Sequence, residues 1–70
     1  MRDPERIPGI CKRLAAVWER VPDQRLGQFL LNLLNEYVSK TGRDPFFPED
    51  EELMAFFESL FPGSDPEGGA

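Results

Sequence analysis

Four side chains of the kinds that read nucleic-acid bases fall at matched intervals: Arg25, Gln28, Asn32 and Asn35 recur at spacings of 3, 4 and 3. On a helix these spacings share one face. Arginine, glutamine and asparagine form paired hydrogen bonds with base edges, and helix, short turn, helix is the order of a helix-turn-helix. The supporting charge is thin. Only Arg25 is basic on that face, Glu36 lies beside it, and a chain of formal charge −5 is poorly placed to bind phosphates. A solvated polar face accounts for the same residues, so DNA binding stands as the alternative reading and nucleic acid as a disfavoured partner.

Catalytic chemistry is scarcer still. There is no histidine, and the one cysteine, Cys11, falls on an apolar stripe, where it is expected to be a buried and inert thiol. The hydroxyls of Ser39, Thr41, Ser59, Ser64 and Tyr37 have no base partner in view. Gly27 lies inside a helical pattern and Gly63, Gly68 and Gly69 lie near the C-terminus, so no glycine loop is formed to hold a phosphate. The run Glu49 to Glu52 lacks the alternating oxygens and central glycine of a calcium loop. Helix-dipole complementation and solubility explain it. No catalytic residue, metal ligand or cofactor is assigned, and the chain reads as a non-enzyme.

The aromatic side chains offer more. Trp18, Phe46, Phe47, Phe56, Phe57 and Phe61 are a large payload for 70 residues. Their first use is the core, and any left outside form a patch of the sort that anchors interfaces. Phe46, Phe47 and Phe61 therefore join Arg25, Gln28, Asn32 and Asn35 as candidate partner-binding residues. The pairs Phe56-Phe57 and Leu60-Phe61 widen their stripe beyond what one neighbour covers, which points to a homodimer or a partner groove.

Three helices must position these residues, over about 4–20, 24–40 and 49–61. In the first, Ile7, Ile10, Cys11, Leu14, Val17, Trp18 and Val21 follow spacings of 3 and 4. Asp3 is suited to cap it with Pro4 in the first position, while Pro8-Gly9 predicts a kink near Ile7 or a start at Pro8. Asp23 is the expected cap of the second helix. There Leu26, Phe29, Leu30, Leu31, Leu33, Leu34, Tyr37 and Val38 cover about 200° of circumference, so this helix should be central and covered from two sides. Gly27 inside that arc suggests a close helix approach, and Gly42 suits the left-handed position after the last turn. Phe46 and Phe47, between Pro45 and Pro48, should place at least one ring in the core. Leu53, Phe56, Phe57, Leu60 and Phe61 make the third helix's buried stripe, which Pro62-Gly63 ends.

These elements define one all-α, compact three-helix domain over residues 1–62, followed by a tail, 63–70, that has nothing to bury and is expected to be disordered. A core this small leaves a surplus of only a few kcal/mol, so the faces must pack efficiently or a second subunit must help. A single thiol and the lack of an apolar leader fit the cytoplasm. The longest apolar run is too short for a bilayer, so no membrane partner is expected. Charge is divided: residues 1–43 hold eight basic and five acidic side chains, net +3, whereas residues 44–70 hold eight acidic and none basic, net −8.

The segment from Val17-Trp18 through Val21-Pro22-Asp23 to Leu26, Gln28, Phe29 and Leu30 resembles a block in short bacterial proteins of uncharacterised function. Asp44-Pro45-Phe46-Phe47-Pro48-Glu49-Asp50 with Leu53 is similar to a second block of the same group. The resemblance covers about residues 7 to 60. It implies a small bacterial or phage-borne helical protein and supplies no activity or site residues. The reading that best fits all these features is a non-enzymatic module that binds another protein or itself.

Overall fold

The computed structural model describes residues 2–61. Three α-helices follow in order: α1 (Arg6–Trp18), α2 (Leu26–Thr41) and α3 (Asp50–Ser59). The first is entered through a turn rather than a capped start. Arg6 N–H donates to Asp3 O at 3.2 Å and Ile7 N–H to Pro4 O at 3.1 Å. Asp3 Oδ1 accepts Glu5 N–H at 2.9 Å, so Asp3 shapes the approach while the helix begins two residues after Pro4. Pro8 is the third helical residue. An N–H there has no intrahelical partner to lose, which is why the helix neither starts nor breaks at Pro8.

The α1–α2 connection is tightened by Val21 N–H to Trp18 O at 2.9 Å and Gln24 N–H to Val21 O at 3.0 Å. The Trp18 indole N–H closes it by donating to Gln24 O at 2.9 Å. Arg25, not Asp23, is the N-cap of α2. Its N–H is accepted by Gln28 Oε1 at 2.9 Å, one half of a capping box. At the other end Gly42 adopts φ 70° and donates its N–H to Val38 O at 2.8 Å, the left-handed stop expected there.

Val17, Phe29, Leu33, Met54 and Phe57 form the buried core cluster, with Tyr37 also buried. Three of these six belong to α2, but α3, not α2, is the helix that lies against both others. The expected central position of the second helix fails because α1 packs mainly on α3 and leaves one side of the α2 arc open. Trp18 stacks on Phe29 at 5.4 Å, joining the end of α1 to the core. In α3 the fully buried positions are Met54 and Phe57, with Leu53 and Phe56 half-buried around them. The helix stops at Ser59, short of the expected 61, and Leu60 and Phe61 pack half-buried from the turn that follows. Met54, absent from the stripe read from the sequence, is thus more deeply buried than its neighbour Leu53.

Four expectations fail on burial. Cys11 is exposed rather than a core thiol. Gly27 admits no close helix, because a Cβ built there meets nothing within 4 Å. Neither Phe46 nor Phe47 plugs the core, at 83% and 72% exposed. The arc on α2 is only partly covered, since Leu26, Leu31 and Val38 stay exposed. One cause serves for Cys11 and the α2 flank: three short helices do not cover every side of the apolar arcs. The expected disorder of 63–70 lies outside the described residues.

Candidate interaction surface

The charge division in the sequence is resolved by ion pairing inside the domain. Each acid in the run Glu49 to Glu52 meets an arginine: Arg2 on Glu49, Arg6 on Asp50 at 2.6 Å, Arg13 on Glu51 at 2.6 Å and Arg43 on Glu52 at 3.0 Å. Arg13 is the hub. Its Nε and Nη2 also donate to Glu58 at 2.9 and 2.8 Å, so one guanidinium is held by two carboxylates seven residues apart on α3. That fork geometry is specific to arginine. Hydrogen bonding to Arg13, reinforced by its charge, holds Glu51 and Glu58 below the usual carboxylate range. Arg2 lowers Glu49 and Arg6 lowers Asp50 in the same way, while Arg2 and Arg13 are themselves raised. From the sequence, this acidic run is explained by dipole complementation and solubility. The signal was present in the excess of basic residues before position 44, but only the packing of α1 on α3 could pair them.

Beside the arginine edge of α1 runs an apolar strip, Ile10 lying about 40° from Arg6 around the helix. A cleft of about 220 Å³ runs between Ile10 and Leu14 of α1 and Leu30 and Leu34 of α2, floored by Leu53 and Phe57 of α3, with Asp50 at its edge. At 100° per residue, Val38 and Leu31 continue the α2 arc just past the cleft-lining Leu34. They are 46% and 60% exposed, and Ile7 on α1 is 47% exposed.

At the α2–α3 connection, Asp44 Oδ1 accepts Phe46 N–H at 2.9 Å and Asp44 O accepts Phe47 N–H at 3.3 Å. This turn leaves the two rings outside, edge to face on each other at 5.1 Å and 84°. Pro45 and Pro48, not the phenylalanines, are the half-buried residues here.

The structure brings Arg25, Gln28, Asn32 and Asn35 onto one exposed face of α2, as their spacing required. Two already have partners: Gln28 caps the helix, and Asn32 Nδ2 donates to Gln24 Oε1 at 3.2 Å. Gln28 thereby gains the local purpose that the sequence did not reveal. Phe61 is half-buried against the core, so packing accounts for it. Among the described residues, no three His, Cys, Asp or Glu side chains gather as a metal site, and no helix is long and apolar enough to cross a membrane. Comparisons with protein-family models, curated proteins and solved structures return no match for the chain.

Proposed function

We propose that this chain is a non-enzymatic protein–protein interaction module of the cytoplasm, and that Phe46 and Phe47 are its contact point for another protein. The observation that carries this reading is the exposure of both rings on a turn fixed by Asp44. Covering an aromatic side chain buries about 150–250 Å², and at about 25 cal/mol per Å² two rings supply several kcal/mol toward binding. Rings held in place by a turn lose little freedom on docking, which favours affinity. The matching partner surface is an apolar pocket wide enough for a pair of crossed rings.

The DNA-binding alternative loses support from two sides. Gln28 and Asn32 are engaged within the domain, and Arg2, Arg6, Arg13 and Arg43 are committed to carboxylates in and just before α3. Affinity purification with the intact chain and with Phe46→Ser/Phe47→Ser tests the proposal. A protein enriched by the first and lost with the second is the expected result, with unchanged helical circular dichroism as the control for folding. Identical recovery with both chains overturns it.

A further inference from the structure

The apolar flank of α2 has the repeat of a helix-pairing seam. Gly27, Leu31, Leu34 and Val38 follow intervals of 4, 3 and 4, the spacing at which one helix presents a continuous edge to another. Among the described residues nothing covers most of it: Leu31 and Val38 are exposed, and the space above Gly27 is open. Leu34 forms the wall of the α1–α2 cleft, so the seam and the cleft are one surface.

We propose that this surface is covered by a second copy of the chain, the two α2 helices crossing antiparallel about a two-fold axis. The seam is complementary to itself. With the axis between Leu31 and Leu34, Gly27 opposes the partner's Val38 and Leu31 opposes the partner's Leu34. Small therefore meets branched at the ends and leucine meets leucine in the middle. A two-fold contact requires this reciprocity, since every pairing occurs twice. Charge also permits it. Each copy carries −5 overall, yet the seam and its outer neighbours Gln28 and Asn35 are uncharged, and Asp50, the acid at the cleft edge, is neutralised by Arg6. Two copies meet there without opposing like charges, and their long-range repulsion is screened by salt.

Area sets the strength. The uncovered apolar surface of Ile7, Leu31, Val38 and the cleft walls is on the order of 400 Å² per copy; at about 65% apolar content this implies about 1,200 Å² in total, the lower edge for a stable interface. The dimer is therefore weak and dependent on concentration. The C-terminal residues, GSDPEGGA, are a poor substitute occupant, having no large apolar side chain.

Sedimentation equilibrium of the full chain over micromolar to millimolar concentrations tests this. The average mass should climb from one chain toward two, more readily at higher salt. Leu31→Lys should raise the dissociation constant about tenfold or more, as for a central interface anchor. Gly27→Leu is the sharper probe: it enters open space in the monomer and improves helix propensity, but obstructs the partner's Val38. It too should weaken association while helical signal and Trp18 emission stay unchanged. A mass of one chain throughout overturns the dimer, and association that ignores both substitutions overturns the seam. Association lost in Phe46→Ser/Phe47→Ser instead places the contact at the phenylalanine turn, which also overturns this assignment. Because the Phe46-Phe47 proposal is read by capture of a different protein, either can fail while the other stands.

Discussion

Two adjacent strips of α1 are held by different forces. Toward α3 it presents Arg6 and Arg13, each bonded to carboxylates 44 or more residues away in Asp50 and Glu58. Beside these it presents Ile10 and Leu14, which pack on the core but stop short of closing on Leu30 and Leu34 and leave a cleft. Among the described residues the charged strip is complete, while the apolar strip is not. Ion pairs are directional and satisfied one by one, so a short helix can finish them. Hydrophobic coverage scales with area, and a domain this size runs out of chain before it runs out of apolar surface. Of the fully buried side chains only Val17 comes from α1. That helix relies on its charged edge more than α2 and α3 do.

The most severe way to break this contrast is to remove what both sides lean on. Phe29→Ala should cost about 3–5 kcal/mol, comparable to the whole stability of a domain this small. Urea denaturation followed by circular dichroism should find the variant largely unfolded without denaturant, and a well-folded variant would mean that the Trp18–Phe29 stack is not central. Arg13→Met probes the charged side alone. It keeps an apolar stem and removes both carboxylate forks, and since solvent reaches all three groups the loss should be only about 1 kcal/mol.

Acid sharpens the same point. Glu49, Asp50, Glu51 and Glu58 have lowered proton affinity in the folded state, so on acidification the unfolded chain takes up protons first. Their contribution is intact above the ordinary carboxylate range near pH 4 and is lost as pH falls through that range and below it. Thermal unfolding should accordingly show a flat Tm from about pH 6 to 8 and a decline below about pH 4, a decline that Arg13→Met makes shallower. Elsewhere Tyr37→Phe should be neutral or stabilising by up to about 1 kcal/mol. The buried Tyr37 hydroxyl has no hydrogen-bond partner among the described residues, while its ring stays edge-on to Phe56 at 5.2 Å. A clear loss of stability in that variant would reveal a partner for the hydroxyl. The smallest effect belongs to the exposed side of α1. Cys11 should react with a thiol reagent in the folded protein nearly as fast as in denaturant, because its side chain is exposed.

Much of the fold is legible because it rests on local rules. The 3 and 4 spacings place three helices, and Gly42 ends α2 as its backbone freedom allows. Boundaries shift where side chains compete for one job: Gln28 caps α2 from within, so Asp23 is not needed as its cap. What stayed hidden depends on which faces meet. Cys11 and Leu31 satisfy an apolar period yet remain outside, because periodicity shows that a face is apolar without showing that a neighbour reaches it. The same holds for charge. Glu49 to Glu52 are favourable at a helix start on any account, and nothing in their order names Arg2, Arg6, Arg13 and Arg43 as partners. For the surface, the exposed position of Arg25, Gln28, Asn32 and Asn35 was readable, whereas the outward turn of Phe46 and Phe47 follows from the Asp44 hydrogen bonds.

The placement of Trp18 has an experimental use. As the only tryptophan, it touches Phe29 and the Gln24 carbonyl but lies at the far end of α1 from the Arg2 and Arg6 contacts. Its emission is thus a built-in optical gauge of the hairpin between the first two helices. Comparing that signal with total helicity during refolding separates the docking of the third helix from the closing of the first bend without any attached dye.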